Sequence, residues 1–121
     1  MGEVPHPGPQ PAAFGFPFAQ ARQAVEAIEA LAEELERTAQ RHGDAAEVAT
    51  RGFHGTTADA FRELLAATLE ALGDDVRTLR AHADLLDQDT AVARQRRDDS
   101  LEARRRWQLA HRAWQEAQRA S

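Results

Sequence analysis

The stretch TADAFRELLAATLEALGDDVRTLRAHADLLDQDTAVA, Thr57–Ala93, decides the fold. Within it Ala58, Leu65, Leu72, Leu79, Leu86 and Ala93 recur every seven residues. Phe61, Leu69, Val76, Ala83 and Thr90 fill the intervals at steps of three and four. An apolar repeat of seven held over this length is the mark of a helix with one adhesive seam. The same register runs on through Ser100, Trp107 and Trp114, and no proline follows Pro17. One helix is therefore predicted from Thr57 to Gln118, about 62 residues and about 93 Å at 1.5 Å per residue.

Upstream of that stretch the period is also helical. Ala21, Val25, Ile28, Leu31, Ala32, Leu35, Ala39, His42, Ala46 and Ala49 recur at steps of three and four, with Glu26, Glu29, Glu33, Glu36, Arg37 and Arg41 between them. This predicts a first helix from Phe18 to Ala49, about 50 Å long. Its second half is rich in Ala, which lets a partner helix approach closely, and Gly43 weakens it by about 1 kcal/mol relative to Ala. Between the helices lies Arg51-Gly52-Phe53-His54-Gly55-Thr56-Thr57. Two glycines this close supply the backbone angles of a reversal. Thr56 is the expected N-cap, with Asp59 completing an acidic variant of the capping box. Two long helices joined by a short turn fold back antiparallel. The expected fold is all-α: an antiparallel helical hairpin with a very long second helix, pairing into a helical bundle. The second helix overhangs the first by about half its length. Either the overhang packs on another chain, or the helix breaks at Asp98-Asp99-Ser100, where Asp99 followed by Glu102 is a second capping signature.

Three segments follow: a proline-rich arm over 1–17, the hairpin over 18–97 and a basic helical extension over 98–121. The arm holds all five prolines, Pro5, Pro7, Pro9, Pro11 and Pro17. Alternating proline removes donors and favours extended backbone. Phe14, Phe16 and Phe18 give it an apolar end. It reads either as a staple packing on the bundle or as a short peptide ligand for another protein.

The net charge of −5 is unevenly spread. Residues 18–92 hold seven Arg against fifteen acids, a net of −8; residues 93–121 hold eight Arg against four acids, a net of +4; Glu3 supplies the remaining −1. An acidic body with a basic tail suits a tail that seeks an acidic surface. All fifteen basic residues are Arg, and Tyr and Cys are absent. The absence of Cys excludes disulfides, thiolate metal sites and cysteine nucleophiles. Heavy use of Ala and Arg suggests a GC-rich coding sequence. No apolar run approaches the roughly 20 residues of a membrane span. The proline-interrupted N-terminus is not a secretory signal, so export would need a route without a cleaved leader.

Nothing in the chain predicts catalysis, a cofactor or a metal. No two histidines have the i, i+4 spacing of a helical metal site. His54-Gly55-Thr56 is turn chemistry, with no strand nearby to build a nucleotide pocket. Asp74-Asp75 and Asp98-Asp99 diverge around a helix and belong to a solvated face. The tail places Trp107 and Trp114 on one face among Arg94, Arg96, Arg97, Arg104, Arg105, Arg106, Arg112 and Arg119. That face suits a protein partner first. Nucleic acid or a membrane surface is disfavoured, because Asp98, Asp99, Glu102 and Glu116 interrupt the positive charge. The expected partner interface is Leu65, Leu72, Leu79, Leu86, Trp107 and Trp114.

The stretch Arg51-Gly52-Phe53-His54-Gly55-Thr56-Thr57-Ala58-Asp59-Ala60-Phe61-Arg62, set between two periodic helices, resembles the WXG family of small secreted helical proteins. The resemblance covers roughly residues 18–97. Gly52, Phe53 and Gly55 form its turn motif; Phe53 stands where the family has Trp, and Gly55 keeps its place. The resemblance implies a hairpin that pairs with a second copy or a helical paralogue into a four-helix bundle. It also implies export by a type VII (ESX-like) system, alone or with a secreted toxin. The family's export signal, a Tyr followed four residues later by an acid, is missing here, so a partner chain would supply it. The competing expectation is a cytosolic helical adaptor, chaperone or antitoxin-like protein that binds a partner protein or polyanion through its Arg/Trp tail.

Overall fold

A computed structural model describes residues 3–121. It holds two helices, α1 over Phe18–Ala49 and α2 over Thr56–Ala120, and no strand among the described residues. α2 runs unbroken through Asp98-Asp99-Ser100. The capping signature at Asp99 is thus absorbed into the helix: Gln95 donates to the Asp99 carboxylate at 3.0 Å, one turn apart. The chain forms two compact units. One is Ala19–Gln88; the other joins the described residues up to Phe18 with Asp89–Ser121.

In the unit Ala19–Gln88, α1 packs against the first half of α2 as a hairpin. Its centre is made of small residues. Ala32 is fully buried and Ala83 is 1% exposed; Ala21, Val25, Ala46, Ala58 and Val76 are also buried. No large side chain is fully buried. The leucine seam lies beside this centre. Leu65, Leu72, Leu79 and Leu86 are each half-buried, and the buried centre of α2 lies at Val76 and Ala83 in the intervening positions. Leu31, at 50% exposure, and His42 face outward, although both fall on the periodic stripe of α1. The cause is side-chain size. Alanines let the two backbones approach, and the longer leucines are then displaced to the flanks of the contact. Glu36 of α1 and Arg80 of α2 form an ion pair across one flank. Nearby, Gly43 and Gly73 open a groove of about 540 Å³ floored by Leu69, Leu72 and Val76.

The reversal is built residue by residue. The Thr50 hydroxyl and N–H both donate to the Ala46 carbonyl, at 2.8 and 2.9 Å. Gly52 then takes φ +79°, and the Phe53 N–H closes onto the Thr50 carbonyl at 3.0 Å. This left-handed residue after a helix end is where glycine is favoured. Gly55, at φ +104°, accepts the Asp59 N–H at 3.1 Å, so Gly55 rather than Thr56 occupies the N-cap position. The Asp59 carboxylate is directed instead to Arg62, at 3.5 Å. Arg62 also donates to the carbonyls of Phe53 at 2.8 Å and Thr50 at 3.3 Å. One guanidinium on α2 thereby ties down two carbonyls of the turn that follows α1.

In the other unit, the second half of α2 is covered by the arm. Ala93 and Thr90 are buried. The described part of the arm, 3–17, has no regular secondary structure and runs antiparallel to the helix. His6 lies at Trp114, Gly8 at Trp107 and Ala12 at Ser100. The staple reading of the arm describes this arrangement, with Ala12 and Ser100 meeting across 88 residues of sequence.

Candidate functional site

Two surfaces carry the residues singled out by sequence. The first is the hairpin tip. Gly52 and Gly55 set the turn, and their positive φ angles throw Phe53 outward at 59% exposure. Phe61, two turns into α2, is 47% exposed. These two rings, with His54 and Ala58, border an apolar hollow of about 440 Å³ at the end of the hairpin. Both rings leave large apolar area open to water at the hairpin tip.

The second surface is the tryptophan face of α2. Trp107, His111 and Trp114 stand at i, i+4 and i+7, so their rings share one side of the helix. Trp107 and His111 stack at 4.6 Å between centroids and 12° between planes. His111 and Trp114 follow at 5.8 Å. The arm's His6 caps this stack edge-on, 4.7 Å from Trp114 and 5.9 Å from His111. Trp107 Nε1 donates to the Gly8 carbonyl at 2.8 Å, and the Ser100 hydroxyl donates to the Ala12 carbonyl at 3.2 Å. Gly8, at φ +79°, is itself held by its N–H donating to His6 Nδ1 at 3.0 Å. Phe14, with Arg97, Leu101 and Arg104, borders a hollow of about 300 Å³. The Arg97 guanidinium lies 5.0 Å over the Phe18 ring, a cation–π contact of about 0.5–1 kcal/mol at an exposed site.

The tail's charge is partly spent locally. Arg105 and Arg106 both pair with Glu102, at 2.6 and 3.2 Å. The body behaves similarly. On α1, hydrogen bonds from Arg37 and then Arg41 hold the Glu34 carboxyl below the usual carboxylate range, and the same bond from Glu34 raises Arg37. Among the described residues no group of three His, Cys, Asp or Glu is placed to hold a metal ion. Among the described residues no helix is long and apolar enough to cross a membrane.

No family model, curated protein or solved structure matches the chain. The residues must therefore speak through their own geometry. The structure brings Gly52, Phe53 and Gly55 together at the tip, and Trp107 and Trp114 together on the tail. It spreads Leu65, Leu72, Leu79 and Leu86 along a half-covered seam, separate from either surface. Sequence reasoning missed His6, Gly8, Phe14, Ser100 and His111 as members of the tryptophan face. One signal pointed there. The heptad face turns from small residues at Ala83 and Ala93 to rings at Trp107 and Trp114, beyond the reach of a first helix half as long.

Proposed function

We propose that the protein is a small non-enzymatic helical partner protein of a type VII (ESX-like) secretion pathway. It acts as a dimerising secreted effector or as the export partner of one. The observation that carries this reading is the hairpin tip. Phe53 and Phe61 stand open beside an apolar hollow, and Phe53 and Gly55 keep the aromatic-x-Gly spacing of the family-like motif. The half-open leucines Leu65, Leu72, Leu79 and Leu86 support pairing of this hairpin with a second hairpin, because a four-helix bundle would cover them. In this reading the protein leaves the cytoplasm through the type VII system. A helical paralogue supplies the Tyr-based export signal.

Light scattering at micromolar concentration, on the chain alone and with its co-purified helical paralogue, tests the reading. The expected result is a dimer that Phe53→Asp with Leu72→Asp dissociates. A monomer that acquires no small helical partner from the native host overturns it.

A second reading has its own observation. The tryptophan face is seen gripping an extended chain, which suits a cytosolic adaptor that binds a partner protein through its tail. A polyanion is the weaker form of that reading, because Glu102 engages two of the tail arginines. Titration with duplex and single-stranded DNA at low and physiological salt separates the two forms. Binding no tighter than the non-specific range of about 10⁻⁴–10⁻⁶ M is expected. Sub-micromolar, salt-steep binding brings the polyanion form forward.

A further inference from the structure

We propose that the face of α2 bearing Ser100, Trp107, His111 and Trp114 is a docking groove for extended proline-rich peptide, and that the chain's own arm is its resident, self-masking ligand. The occupant's chemistry is visible, since the segment that contacts this face at His6, Gly8 and Ala12 carries Pro7, Pro9 and Pro11 between those contacts. The inference stands apart from the export reading and applies whether or not the hairpin dimerises.

Three features make the face a reader of such chains. The first is donor supply. A proline-rich strand offers carbonyls and few N–H groups. The helix answers with donors, the Trp107 indole N–H to Gly8 and the Ser100 hydroxyl to Ala12. The second is spacing. Ser100 and Trp107 are seven residues apart, about 10.5 Å along a helix. The arm turns at Gly8, where φ is +79°, and it meets the helix at three levels in order, His6 at Trp114, Gly8 at Trp107 and Ala12 at Ser100. The third is shape. Stacked Trp107 and His111, with Trp114 beyond, form a continuous ring surface on which His6 stands edge-on. Aromatic faces of this kind hold proline-rich chains because a chain already extended loses little conformational freedom on docking.

The partner is therefore a protein with an extended proline-rich segment that carries a carbonyl at the Gly8 level and a ring at the His6 level. It takes the groove by displacing the arm. Tethering sets the competition, because the arm acts at the high effective concentration of a short linkage. A free peptide of the same sequence must therefore bind the intact chain weakly and an arm-loosened chain strongly.

The test uses a fluorescein-labelled peptide of residues 3–17 and the full-length chain. In the unsubstituted chain the resident arm keeps binding weak. His6→Ala with Phe14→Ala loosens the arm and leaves the groove intact, and the peptide is expected to bind that variant at least ten-fold more tightly. A peptide with alanine at Pro5, Pro7, Pro9 and Pro11 is expected to lose at least ten-fold on the loosened chain. Adding Trp107→Phe there, which removes the indole donor, is expected to weaken the natural peptide several-fold. Equal affinity for the intact and loosened chains, or equal affinity of the alanine peptide, overturns the proposal. A second measurement needs no variant. In the isotope-labelled natural chain, excess unlabelled peptide is expected to move the Gly8 and Gly15 amide resonances to their free-arm positions. Resonances that stay in place at millimolar peptide also overturn it.

Discussion

The two units of this protein cover the same helix in opposite ways. In Ala19–Gln88, α2 is covered by another helix, and the contact is built from Ala32, Val76 and Ala83. Beyond Asp89, α2 is covered by an irregular arm, and the contact is built from Trp107, His111, Trp114 and arm carbonyls. The difference lies in side-chain size. Small residues let a helix about 10 Å thick come close enough to exclude water. Tryptophans hold a helix too far off, but a thin extended chain fits between and over their rings and uses their N–H donors. A single uninterrupted helix thus takes two kinds of cover along its length, a helix over Val76 and Ala83 and an extended arm over Trp107 and Trp114.

The sharpest way to break the contrast is to enlarge the small seam. Ala32 has no exposed surface, so Ala32→Leu is expected to destabilise the hairpin by about 1–3 kcal/mol through overpacking. Leu72→Ala, at a half-buried site, is expected to cost about 1–2 kcal/mol, less than the 2–5 typical of full burial. Urea titration followed by far-UV circular dichroism measures both. If Leu72→Ala proves much the more costly, the leucines and not the alanines hold the hairpin.

The converse substitution addresses the arm. Trp107→Phe keeps a ring and removes the donor to Gly8. It is expected to cost about 0.5–1.5 kcal/mol, the net value of one hydrogen bond. Its readout is specific, since Trp107 and Trp114 are the two tryptophans and Tyr is absent. The remaining Trp114 emission should shift to the red as His6 leaves it. An unchanged spectrum would show that the bond does not hold the arm.

A gain in stability is expected where a glycine sits in a helix without need. A Cβ at Gly43 would meet Leu69 Cδ1 at 3.7 Å, an ordinary contact. Gly43→Ala should therefore raise stability by about 0.5–1 kcal/mol through helix propensity and a less free unfolded chain. A loss instead would mean that Leu69 cannot accommodate the added methyl group. Gly52 and Gly55 differ, because their positive φ angles penalise any side chain.

The smallest effect is expected at Glu34. Its lowered carboxyl contributes stability above the ordinary carboxylate range, and that contribution fades as pH falls through the lowered value. Because the site is fully exposed, Glu34→Gln should leave the neutral-pH melting temperature within measurement scatter. Any small difference should vanish in acid. A difference that grows on acidification has the wrong sign for this pair.

Much of the fold was legible in the residues. The heptads of Thr57–Ala93, the α1 stripe and the two turn glycines place both helices and the reversal to within a residue or two. Periodicity and glycine angles are local properties, so sequence states them directly. Which seam position lies deepest was less legible. Leu65 and Val76 are equally apolar in sequence, and burial depends on how closely the backbones approach.

Sequence alone determined that the chain is helical, where it turns, and that it offers rings and arginines on its tail. Tertiary structure alone decided that alanines would form the centre, that Arg62 would tie the turn, and that the arm would lie on the tryptophans. Each of those depends on contacts between residues far apart in sequence. His6 and Trp114 meet only because the hairpin returns the chain to its own N-terminus, and no local pattern encodes the distance between them.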